Sequence, residues 1–223
     1  MTFDPDAYDL FAYQKARHEE VGGTTDMEEL PTLLGCTVIE ADASRLIGTD
    51  LHVQRRLIYA GRRSHIAHEV SHKLAQERDT AHDPNYEEVI RHRHAQAPDV
   101  DAHLEALITT GQDGLLMPDK VVQTIINICG LNAMVVWILH QQETVYLHEA
   151  LRRIVQHNEN ARIGGFIGVN GIIRHAYSYR WRMPCWIGHP VPDPDDEFQG
   201  EGVSLFQVPG RRNTVIGLIV IEE

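Results

Sequence analysis

The spacing of apolar residues along this chain changes several times, and each change predicts a different element. Between Leu33 and Ala41 the apolar positions centre on Val38 and predict a strand; Arg56 to Ala60, closed by Gly61, predicts a second. Ile66, Val70 and Leu74 then recur at i, i+4 and i+8, the spacing of a helix that buries one face. Ser64 is its expected N-cap and Gln76 its approximate end. Residues 78–100 are charged and polar, contain Asp83-Pro84-Asn85 and Ala97-Pro98-Asp99, and read as loop with a short helix around Glu87 to His92. Helical spacing returns from Val100 to Leu116, and Pro118 marks a boundary that opens the next helix. Further helices are expected from Lys120 to Cys129, Met134 to His140 and Leu147 to His157.

After Asn160 the character changes. Gly164 to Val169, Ile172 to Trp181, Val203 to Val208 and Thr214 to Ile221 predict strands, with a Pro/Asp/Gly-rich loop from Gly188 to Gly202. At the other end, Gly22-Gly23-Thr24-Thr25-Asp26 is a loop signal, and Tyr8, Leu10, Phe11 and Tyr13 suit a short docking helix or strand. These shifts divide the chain into an N-terminal extension (1–29), an α+β domain (30–125), a helical segment (126–160) and a β-rich C-terminal region (161–223).

Composition narrows the function classes. With 223 residues, 43% hydrophobic and 23% charged, the chain can bury a core. A net charge of −12 argues against the whole molecule acting as an electrostatic nucleic-acid binder, which needs a basic footprint. Cys36, Cys129 and Cys185 are widely separated and form no disulfide framework, so reduced thiols are expected. No apolar leader precedes Glu20, and stretches such as Thr214 to Ile221 fall far short of a membrane span. A cytoplasmic location with no membrane partner is the expectation.

Most of the fourteen histidines read as solvated surface residues, but one pair has informative spacing. His65-Ile66-Ala67-His68-Glu69-Val70-Ser71-His72 contains H-E-x-x-H. On a helix, His68 and His72 lie about 40° apart, close enough for both imidazoles to reach one zinc ion, with Glu69 beside the metal rather than on it. Zinc polarises water and Glu69 can take its proton. The bland alternative is a surface helix bearing two exposed histidines and a glutamate. A catalytic zinc also needs a third protein ligand, and His82, Glu87, Glu88, His92, His94, His103 and Glu105 all lie downstream; composition does not choose among them.

The stretch from Leu57 to Pro118 resembles the ImmA/IrrE family of zinc metallopeptidases. The resemblance is carried by Arg63-Ser64-His65-Ile66-Ala67-His68-Glu69-Val70-Ser71-His72 and by Leu115-Leu116-Met117-Pro118. The family pattern E-x-x-A-x-x-F-A-x-x-L-L-M-P puts a glutamate thirteen positions before its proline, which here is Glu105. Ser64 stands where an aromatic is usual, Ser71 for glycine, Ile108 for alanine and Gly111 for phenylalanine; Gly111 is expected to weaken its helix. The resemblance implies an α+β fold with a small zincin-like peptidase domain (a short sheet plus an active-site helix), followed by the helical segment and the C-terminal β-rich region. It implies a zinc-dependent endopeptidase, a hydrolase with metal ligands His68, His72 and Glu105 and catalytic Glu69. Imidazole and carboxylate donors also serve manganese.

The implied partner is a protein substrate, a helix-turn-helix DNA-binding repressor whose cleavage derepresses stress or mobile-element genes. Family members often carry a helix-turn-helix-like segment after L-L-M-P, here Val135 to Val155 with Arg152 and Arg153, but packing is the favoured role in so acidic a chain, and direct nucleic-acid binding is not expected. His175, Tyr177 and Tyr179 are open candidates for oxyanion stabilisation, with a half-buried sheet face as the bland reading. The competing function is a non-catalytic regulatory or interaction module with a vestigial or structural metal site.

Overall fold

The structure, a computed structural model, describes residues 5–55, 57–77, 85–96, 98–158, 160–193 and 202–221. It is α+β, with two small sheets and eight helices among the described residues. The chain divides into two compact units, Phe3–Pro118 and a second that begins at Asp119. No described helix is long and apolar enough to cross a membrane.

The first unit begins with α1 (Pro5–Glu20) and the short α2 (Leu30–Leu33), followed by β1 (Thr37–Ala41), β2 (Arg45–Ile47) and β3 (Asp50–Gln54). The sheet order is β1-β3-β2, with β1 parallel and β2 antiparallel to β3, so β2 is an edge strand. Then come α3 (Tyr59–Ala75), α4 (Tyr86–Arg93) and α5 (Val100–Leu116). Leu51 and Val53 are fully buried and alternate with His52 and Gln54, a period of two that gives β3 one apolar face. On α3, Ile66, Val70 and Leu74 are fully buried, as their spacing predicts.

Two expectations near α3 are corrected. The strands that follow β1 are Arg45–Ile47 and Asp50–Gln54, not Arg56 to Ala60; Arg56 lies outside the described residues, and Tyr59 and Ala60 already belong to α3. Ser64 is an interior helical residue, and Ile58 is the N-cap without a side-chain cap. The early start of α3 is supported by Arg62, which reaches Glu28 and Glu40, each at 2.6 Å, and ties the helix to the segment before α2 and to β1.

The N-terminal stretch is a sixteen-residue helix packed within the first unit rather than a separate extension. Leu10 joins Ala75, Ile90, Leu104, Leu107 and Ile108 in one apolar cluster. Next to it, Gln14 Nε2 donates to Ser71 Oγ at 2.8 Å, and Ser71 Oγ donates to the Ile108 carbonyl at 3.0 Å. Gly111 makes this crossing possible. A Cβ there would lie 2.1 Å from Gln14 Oε1 and 2.6 Å from Ser71 Oγ. Helix α5 runs unbroken through Gly111, whose missing side chain admits Gln14.

In the second unit, α6 (Asp119–Cys129), α7 (Ala133–Glu143) and α8 (Leu147–Gln156) precede β4 (Arg162–Val169), β5 (Ile172–Tyr179), β6 (Gly202–Gln207) and β7 (Thr214–Ile221). The strands form an antiparallel sheet in the order β5-β4-β7-β6. Helices and sheet therefore share one unit that starts at Asp119, where the sequence pattern divides them at residues 125 and 160. Pro118 is the sequence signal for this boundary. Phe166, Ile173, Ala176, Met183, Cys185 and Ile219 form a core cluster. The segment 194–201 of the expected loop lies outside the described residues.

Two predictions follow from this packing. Gly111→Ala should destabilise the first unit by roughly 1–3 kcal/mol through overpacking, and the penalty should shrink in a Gln14→Ala background, measured as a double-mutant cycle in denaturant unfolding. In the second unit, His148 stacks on Tyr146 and on His175, with ring centroids 5.6 and 4.9 Å away. Burial, then the nearby His175 and Arg152, push its pKa down from 6.5 to about 4. The unfolded chain therefore takes up this proton first, so stability is full above pH 6.5 and falls as pH drops towards 4. His148→Phe should flatten that acid limb. Intrinsic tryptophan fluorescence reads it selectively, because Trp137, Trp181 and Trp186 all lie in this unit.

Candidate metal centre

Two helices supply the site. His68 and His72 project from α3 one turn apart, their rings edge-to-face with centroids 4.9 Å apart. Glu105 stands on α5, its Oε2 3.4 Å from His68 Nε2 and its Oε1 3.3 Å from His72 Nε2. One donor atom from each of the three residues lies within 4.8 Å of the others, the set that could hold a metal ion among the described residues. Two ligands on a tetrahedral ion with bonds of about 2.1 Å lie about 3.3–3.4 Å apart. The imidazole–carboxylate separations match that value and are longer than the usual N–H···O range of about 2.7–3.2 Å. The donor set could therefore hold a metal ion.

Burial is graded across the site. The side chains of His68 and His72 are 26% and 17% exposed, whereas that of Glu105 is 54% exposed, so the site meets solvent on the α5 side. Burial, then the neighbouring His72, holds His68 below the usual imidazole range against the opposing pull of Glu105 and a hydrogen bond to Gln112. Glu69 is only 6% exposed. Burial, reinforced by the Glu105 carboxylate, pushes the Glu69 carboxyl up to about 7, while a hydrogen bond from the Leu46 backbone on β2 opposes the rise. A carboxyl near neutrality can both accept and return a proton.

None of the other described candidate ligands joins this donor group. Glu87 pairs with Arg91 and Gln76, and Glu88 completes the capping box of α4 with Asn85. His94 and His103 stack on each other at 4.5 Å, and neither they nor His92 join the donor group. His82 lies outside the described residues. His175, Tyr177 and Tyr179 belong to β5 of the second unit. Gln112, which contacts His68 Nδ1 at 3.2 Å, was missed by sequence reasoning; its position seven residues after Glu105, on the same face of α5, is the signal that could have found it.

Fold and site together define an α+β protein with three convergent donors on two packed helices. No family model matches the chain, and no curated protein matches it. A solved structure described as a Mycobacterium tuberculosis transcriptional regulator is similar, with a TM-score of 0.57 and 14% identity over 96% of this chain and 76% of that one. At that identity the likeness shows a shared fold.

The donor geometry makes a direct prediction. The metal-free protein should bind about one equivalent of Zn²⁺ by isothermal titration, with a thermal midpoint that rises with metal and falls on chelation. His68→Ala, His72→Ala and Glu105→Ala should each weaken binding by at least tenfold.

Proposed function

We propose that this chain is a metal-dependent endopeptidase of the ImmA/IrrE type, cytoplasmic, that cleaves a helix-turn-helix transcriptional repressor. The observation that carries the reading is the convergence of His68, His72 and Glu105 from separate helices, with a buried carboxyl adjacent in sequence to the first ligand. Zinc, or manganese in its place, would be held by these three residues and would supply Lewis acidity to the scissile carbonyl and to water. Glu69 takes a proton from the attacking water and returns it to the leaving amine. The exposure of Glu105 opens the donor group to solvent, as a site with an exchangeable position requires.

The choice of a repressor as substrate rests on the family resemblance of Leu57 to Pro118, and a neighbour in fold that is described as a transcriptional regulator fits a role in gene control. The zinc-loaded protein, incubated with a purified DNA-binding repressor encoded beside it, should give one discrete cleavage. Glu69→Gln should retain zinc and slow cleavage by roughly 10²–10⁴-fold, the usual contribution of general acid–base catalysis. Zinc binding without proteolysis of any such repressor would instead favour a non-catalytic module with a structural metal.

A further inference from the structure

Gln112 sits on α5 with 4% exposure, and its side-chain amide lies between His68 and Ser64 of α3. Its Oε1 lies 3.2 Å from His68 Nδ1, and its Nε2 donates to Ser64 Oγ at 2.9 Å. Ser64 and His68 are one turn apart on α3, and Glu105 and Gln112 are two turns apart on α5. The two helices therefore present matched rows: Ser64, His68 and His72 face Gln112 and Glu105.

A neutral imidazole has one N–H and one lone pair, and the hydrogen bond at one nitrogen decides which atom carries which. We propose that Gln112 is a positioning residue for His68. Its amide oxygen accepts the Nδ1 proton, while its amide NH₂ is engaged by Ser64, so Nε2 is left with the lone pair that faces Glu105. A reversed amide would donate to Nδ1 and force the proton onto Nε2, where it blocks ligation. Ser64 Oγ, which accepts the amide NH₂ at 2.9 Å, is the partner of the orientation that turns Oε1 towards Nδ1. A neutral acceptor also suits a site that already holds Glu69 and Glu105, because a third carboxylate would add negative charge next to both.

The consequence for metal affinity rests on the proposed function, but the tautomer does not. In metal-free protein labelled with ¹⁵N-histidine, long-range ¹⁵N–¹H correlation should find His68 as the Nδ1–H tautomer, and Gln112→Ala should shift it towards Nε2–H. Competition with a chromophoric chelator should show Zn²⁺ bound about 10–100-fold more weakly by Gln112→Ala, the usual cost of losing a ligand's orienting partner. Gln112→Glu restores an acceptor and should recover affinity to within a few-fold. An Nε2–H tautomer in the wild type, or an unchanged tautomer in Gln112→Ala, overturns the proposal. Should Gln112→Ala fail to fold, the wild-type tautomer and the Gln112→Glu affinity decide it by the same criteria. A wild type with the Nδ1–H tautomer that binds no metal would sink the peptidase reading and leave this one standing.

Discussion

The close approach of α3 and α5 is the constraint on which the site depends. Ligands on different helices hold one ion only if the helices are locked in rotation and register, since a shift of one residue turns a side chain by about 100°. Three features lock them here. Apolar packing joins Ala75 of α3 to Leu104 and Ile108 of α5. Ser71 bonds across to the Ile108 carbonyl, and Gln14 of α1 closes over that bond through the gap left at Gly111. Hydrogen bonds specify direction where apolar contacts alone tolerate sliding. The buried Ser71 and Gln14 therefore contribute registration more than bulk stability.

Electrostatics pull the same region the other way. Glu69 is buried and feels the Glu105 charge, so its ionised form is disfavoured until something positive arrives. His68 is depressed as well, chiefly by burial, and does not supply that charge near neutral pH. The site thus gathers groups whose charged forms are disfavoured. Such an arrangement costs stability unless a cation offsets it, a common feature of sites built for function rather than for folding. Arg62, on the neighbouring turn, is committed to Glu28 and Glu40 and gives the site no relief.

The sequence made the long elements legible and left the short ones obscure. α5 and β7 lie where their patterns predict, because each buries a continuous face over many residues. β2 has only three residues, too few for a period, and β3 was overlooked although Leu51 and Val53 alternate cleanly with polar neighbours. The apolar Leu57 and Ile58 drew attention instead, yet they lead into a helix, since pairing with β1 and β2 already completes the sheet at β3. Within the site, the α3 pair was visible from helical geometry alone. Glu105 came from resemblance, because no local spacing relates residues on separate helices. Gly111 was legible as a departure but not as an opening, since its meaning depends on Gln14, nearly a hundred positions earlier.

The second unit shows how burial limits what a sequence likeness can mean. A helix that reads a DNA groove needs an exposed face carrying cations. On α8, Leu147, Glu149, Ala150, Leu151, Arg153, Ile154 and Val155 are buried, which leaves His148, Arg152 and Gln156 at i, i+4 and i+8 as the outer row. Arg153 bonds Asp119 at 2.5 Å, and Arg152 lies over the Tyr177 ring at 5.7 Å. His148 stacks on His175. The outer row is therefore covered in part by β5, and both arginines have partners within their own unit. Entering a groove would require α8 to exchange those contacts for phosphates in a chain of net charge −12, which has little long-range attraction to offset the loss.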